Sequence, residues 1–180
     1  MQTYINIGLF YKTMQVKKLM KKIESNSEFK EWKKKNKKDY LVHIFNMFDK
    51  TNKGVFQIGY YNSNKDKITS FIIEKNDIKL MPEENIFKKP KSKIKKLNIT
   101  KVKIDFKAAL DKAVKFQKKK YKVLPIKTII ILQNLPIGQV YNITFVTQAF
   151  QTVNIKIDSS DGNILKHEIV DLMQFDKQEK

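Results

Sequence analysis

The 180-residue sequence contains no cysteine, which excludes disulfide cross-links, thiolate nucleophiles and cysteine-held metals. Arginine is missing as well, because every one of the 37 strongly basic side chains is lysine. A guanidinium fork grips a phosphate or a guanine edge at two points, whereas an ammonium is a single point charge. Sequence-specific readout of a nucleic acid is therefore disfavoured. Glycine and proline are scarce, at five and four residues, and no glycine-rich phosphate loop leads into a helix. No apolar run approaches the ~20 residues of a membrane-spanning helix. The opening MQTYINIGLFYK has no basic leader before its apolar patch and no small-residue cleavage site. The expectation is a cytoplasmic protein of a reducing compartment.

What the sequence has in excess is positive charge. Its formal net charge is +19, with only 18 acidic residues. Lysine, asparagine and isoleucine are all abundant, as an AT-rich coding bias would produce, so part of the charge is compositional. The twofold excess of bases over acids still leaves room for a selected cationic surface. The lysines fall in three clusters: Lys33, Lys34, Lys35, Lys37 and Lys38; then Lys88, Lys89, Lys91, Lys93, Lys95 and Lys96; then Lys118, Lys119 and Lys120, with Lys122 just beyond. A hydrophobic fraction of 41% excludes wholesale disorder and is enough for a sizeable core.

The most patterned stretch is residues 137–165. Val140, Asn142, Thr144 and Val146 alternate with Tyr141, Ile143, Phe145 and Thr147, and a second run alternates Val153, Ile155 and Ile157 with Asn154, Lys156 and Asp158. Period two in β-branched and aromatic residues predicts two half-buried strands. They end in DSSDG, where Gly162 supplies positive φ and Asp158 and Asp161 bond nearby backbone amides, a structural turn. The first half carries the same text: Val55-Phe56-Gln57-Ile58-Gly59-Tyr60-Tyr61 matches Val140 to Val146 in character, and Ile68 to Glu74 matches Thr152 to Asp158. Correspondence in residue type as well as hydrophobicity is how an internal repeat shows itself.

Other elements follow in order. Val16, Leu19, Met20 and Ile23 form a helical stripe, and Ser27 is placed to cap a short second helix carrying Phe29 and Trp32. Tyr40–Phe48 predicts a strand, 55–62 and 67–74 complete a meander, and Ile78 and Leu80 mark a short edge strand before Pro82. KKPKSKIKK reads as a basic linker over 89–96. Leu97, Ile99, Val102 and Ile104 suggest a leading strand. Asp105 then caps a helix with apolar positions Phe106, Ala109, Leu110, Ala113 and Val114. Ile126–Gln133 is a strand, and the segment from His167 to Phe175 is an edge strand or closing turn.

Helix, hairpin and a closing strand of the form Ile155-Lys156-Ile157-Asp158-Ser159-Ser160-Asp161-Gly162-Asn163-Ile164-Leu165 resembles the PepSY domain. The likeness covers about a dozen residues by motif, and by order of elements about 104–170. The first half shares it only through the repeat and lacks the turn glycine. The resemblance implies an α+β fold of two cystatin-like units, each a helix packed on a curved antiparallel meander, spanning 1–88 and 97–180. It also implies a non-enzymatic role, since PepSY-like domains act as propeptides, inhibitors or binding modules, and it brings no catalytic residues to transfer.

Catalytic and metal motifs are weak. His167-Glu168-Ile169-Val170-Asp171 begins like a zinc-protease helix, but Asp171 stands where the second histidine belongs, and His43 sits in a predicted strand. DSSDG lacks the alternating oxygens and final glutamate of a calcium loop. No metal or other cofactor is expected. The expected partner is a protein or peptide. The alternative is RNA or DNA bound through the lysine clusters, with Phe56, Tyr60 and Tyr61 offered as stacking rings on a strand.

Overall fold

In the computed structural model of the protein, the described residues are 15–48, 54–75, 77–86 and 93–171. The apolar stripe of α1 (Val16–Ser25) is buried throughout, at Val16, Leu19, Met20 and Ile23. Asn26 ends α1 and starts α2 (Ser27–Lys35): its N–H bonds the Ile23 carbonyl, and its side chain accepts from the Phe29 N–H at 2.9 Å. The cap is thus Asn26 and not Ser27, because an amide oxygen at the last extended residue reaches the third amide of the new helix. After α2 come β1 (Tyr40–Phe48), β2 (Val55–Asn62), β3 (Lys67–Glu74), β4 (Asp77–Leu80) and the two-residue β5 (Glu84–Asn85).

The extended run expected at Leu97–Ile104 is a 3-10 turn, Ile99–Lys101, flanked by loop. Asn98 decides this locally, since its Oδ1 accepts from both the N–H and the hydroxyl of Thr100, at 3.0 and 2.7 Å. Such side-chain bonds offer the backbone an alternative to a sheet ladder. Asp105 caps α3 (Phe106–Lys120) through the Ala108 N–H. After α3 come β6 (Pro125–Leu135), β7 (Gly138–Thr147), β8 (Gln151–Asp158) and β9 (Ile164–Asp171).

The nine strands of the described residues belong to one antiparallel sheet ordered β4-β3-β2-β1-β6-β7-β8-β9, with β5 beside β3. The first-half strands meet the second-half strands at β1 and β6, where His43 to Phe48 pair with Gln133 to Thr128. Alternation sends Ile44, Phe56, Ile58, Phe71, Ile130, Leu132, Tyr141, Ile143 and Ile155 to one face, where they join one core with the helices. Phe29 and Trp32 of α2 lie edge-on to Phe71 at 5.2 and 5.1 Å. Phe106, at the start of α3, touches Phe56 of the first half and Tyr141 of the second, at 5.3 and 5.1 Å. One ring therefore spans the seam. Among the described residues the fold is α+β, with three helices on a nine-stranded sheet.

On the opposite face, Ile86 and Ile94 pack on Val42, Tyr61 and Ile68 as a small second core, and the Tyr40 hydroxyl donates to the Ile94 carbonyl at 3.1 Å. The predicted linker thus reaches, at Ile94, into packed structure against the sheet. Among the described residues, no helix is long and apolar enough to cross a membrane.

Candidate functional site

The first and second lysine clusters come together in part. Lys33, in the last turn of α2, and Lys37 and Lys38, just beyond it, line a groove of about 1210 Å³ with Lys96 and Lys101. Lys33 is not a free cation there. Its Nζ donates to the carbonyls of Asn36 (3.3 Å), Lys37 (3.4 Å) and Asp39, so it closes the negative end of α2. Burial lowers its pKa despite the nearby Asp39 carboxylate. Lys34 and Lys35 lie in the last turn of α2 and do not line the groove, while Lys93 and Lys95 border a different hollow on the opposite face. Lys88, Lys89 and Lys91 lie outside the described residues. Lys118, Lys119 and Lys120 occupy the last turn of α3, and Lys120 turns toward β9.

The aromatic half of the nucleic-acid alternative does not hold in the form expected. Phe56 is fully buried, and Tyr60 and Tyr61 are 5% exposed. They are core, not stacking surfaces, because alternation puts Phe56 and Tyr60 under the helices and the second core covers Tyr61.

The hollow on the open face, about 640 Å³, is lined by His43, Phe45, Gln57, Ile131, Gln133 and neighbouring side chains. Its histidine is accommodated by a glycine: a Cβ on Gly59, which pairs with His43 across the ladder, would lie 2.3 Å from the imidazole Cε1. Burial lowers the His43 pKa to about 4, so the ring is a neutral wall. Among the described residues no carboxylate lines this hollow. His43 and His167 stand on strands four steps apart in the sheet, roughly 19 Å, and among the described residues no three metal-ligating side chains gather.

His167 is not the solvated histidine at a strand end that its sequence context implies. It sits in mid-strand, half-buried, with the Tyr121 hydroxyl 2.7 Å from Nδ1, Lys120 Nζ 3.3 Å from Nε2 and the Phe116 ring centroid at 4.8 Å. An ammonium only donates, so Nε2 accepts and Nδ1–H points to the tyrosine oxygen.

The Asp158–Asn163 turn is an anchor for the loop entering α3. Ser160 donates from both N–H and Oγ to Asp158 Oδ1, at 2.7 and 2.6 Å, and these bonds hold the Asp158 carboxyl below its usual pKa. Asn163 is bonded to Asp161 at 2.8 Å, and Gly162 has φ +78. The Ser159 carbonyl accepts from the amides of Lys103 and Ile104, and the Tyr141 hydroxyl donates to the Ile104 carbonyl at 2.7 Å.

The sheet's two edges differ. One is made of β4 and β5, four and two residues long. The other is β9, eight residues long, which pairs only with β8 among the described residues. Leu165 and Ile169 on it are 39% and 44% exposed.

No family model matches the chain, and no curated protein matches it. Among solved structures it is similar to a crystal structure of a "putative lipoprotein" from Clostridium difficile 630. The identity is 17% and the TM-score 0.52, over 79% of this chain and 90% of that one. At that identity the likeness speaks to the fold alone.

Proposed function

We propose that the protein is a tandem of two PepSY-like units, joined through their first strands, that acts without catalysis by binding a protein or peptide along the β9 edge. What supports the tandem is the matching of pairs. Ile58 stands opposite Ile44 and Phe71, and Ile143 stands opposite Ile130 and Ile155, all fully buried. On the other face Gln57 bonds Ser70 at 2.8 Å, and Asn142 accepts from Asn154 at 2.7 Å, at corresponding places. Phe45 and Ile131, which take the same place next to Ile44 and Ile130, pair with each other across the seam. A local two-fold relation between the halves produces that pairing.

The observation that carries the binding role is the β9 edge, which pairs only with β8 among the described residues. An edge strand of this length presents a row of main-chain donors and acceptors to an incoming strand. The short β4–β5 edge, interrupted by Pro82 between its two strands, gives little room for the same. The test is a displayed library of extended peptides panned on the full chain, with hydrogen exchange mapped on the winners. Selected peptides should protect amides of 164–171. Protection elsewhere, or no selected binder, would sink the reading.

The basic groove favours a second reading, a salt-sensitive and sequence-blind nucleic-acid binder, because Lys37, Lys38, Lys96 and Lys101 converge there. Titration with fluorescent single- and double-stranded RNA separates the two: no binding at low salt removes the second. Location bears on both. The sequence reading puts the protein in the cytoplasm, whereas the lipoprotein description of its fold neighbour raises a cell-surface alternative, and fractionation of the source cells decides.

A further inference from the structure

We infer that the β9 edge is built to pair with the β9 edge of a second copy, antiparallel and centred on His167, giving a two-fold dimer with one continuous sheet. The inference rests on the reading of β9 as an open recognition edge and names its occupant.

Backbone parity comes first. Along an edge strand, every second residue points its N–H and C=O outward. Two copies related by a two-fold axis can exchange these bonds only if outward residues meet outward residues. The axis must then pass beside a residue and not between two. Four centres are available in the middle of Ile164–Asp171. Centring on Lys166 sets it against its own copy, and centring on Glu168 does the same for two carboxylates. Centring on Ile169 sets Glu168 against Val170 and His167 against Asp171, leaving Lys166 without an acid opposite.

Centring on His167 sets that ring against its own copy, Lys166 against Glu168 twice and, at the β-bulge that β9 makes at Leu165 opposite Lys156 and Ile157, Leu165 against Ile169 twice. The two large side chains that β9 leaves most exposed, Leu165 and Ile169, therefore cover each other. The two opposite charges, already 3.0 Å apart along the strand, gain a cross-strand counterpart. Cross-strand pairs of opposite charge and of apolar side chains each favour association, and like charges directly opposite disfavour it. The sequence of the strand is self-complementary in this register alone among the four.

The +19 charge opposes self-association at low salt, so the experiment belongs near physiological ionic strength, where charges beyond ~8 Å are screened. Sedimentation equilibrium of the full chain across the micromolar range should show a monomer–dimer equilibrium. Lys166→Glu and Glu168→Lys should each weaken it about tenfold or more, since two like-charge pairs per dimer replace two attractive ones. The double variant carrying both changes should restore it. Hydrogen exchange of the unmodified chain should show protection of 164–171 that grows with protein concentration, a readout that does not depend on any variant folding.

A monomer at every concentration overturns the inference. So does a dimer indifferent to both charge reversals, or one whose concentration-dependent protection lies outside β9. A monomer whose β9 amides are still protected by a selected peptide overturns self-pairing and leaves the recognition reading standing.

Discussion

Gln117 is the least explicable single residue of the core. It is fully buried on α3, and neither its Oε1 nor its Nε2 has a hydrogen-bond partner among the described residues. An amide buried without partners costs about 1–3 kcal/mol relative to an apolar side chain of similar shape. Gln117→Met should therefore raise stability, by about 1 kcal/mol or more, read as a higher urea midpoint with an unchanged slope. His43 gives the second prediction. Its pKa is about 4 in the fold against ~6.5 unfolded. Between these values the unfolded chain binds a proton that the folded one refuses, so stability rises with pH across the window. The ring should cost about 3 kcal/mol of stability on going from pH 7 to pH 4. Urea midpoints of the natural chain and of His43→Phe, compared at several pH values, isolate that contribution, and parallel pH profiles would refute it. Neither residue announced itself in the sequence. Gln117 lies immediately before the lysine run Lys118–Lys120, and the depth of His43 depends on a glycine on the neighbouring strand.

At the scale of elements, Asn26 joins two helices with one side chain and one N–H. Asn26→Ala removes the acceptor for the Phe29 amide and should cost about 1 kcal/mol, while Asn26→Asp should cost little, since a carboxylate accepts the same bond. Trp32, the single tryptophan, reports the change by fluorescence during urea unfolding. Strands 55–62 and 67–74 were legible to the residue because alternation and flanking turn residues agree there. The 3-10 turn at Ile99–Lys101 was not legible. Leu97, Ile99, Val102 and Ile104 offer apolar residues at strand-like intervals, and only the Asn98 side chain and the sheet corner at Ser159 decide against a ladder.

At the scale of the molecule, the seam between halves governs unfolding. β1 and β6 share a ladder, and Phe106 contacts rings from both halves, so neither half keeps its core if the other opens. Urea unfolding followed by Trp32 fluorescence in the first half, and by hydrogen exchange of β7 and β8 in the second, should give coincident transitions. Two separated transitions would mean that each half is stable alone.

The sequence by itself determined the α+β class, the burial pattern of most strands and the turn at Gly162, because these depend on periodicity and local turn chemistry. It also determined the charge, but not the use of the charge. Which lysines share a groove, which one is spent closing a helix, which rings are covered and which of two edges stays open were decided by tertiary structure alone. Each of these depends on residues brought together from strands and helices far apart in the chain, and no local pattern records that meeting.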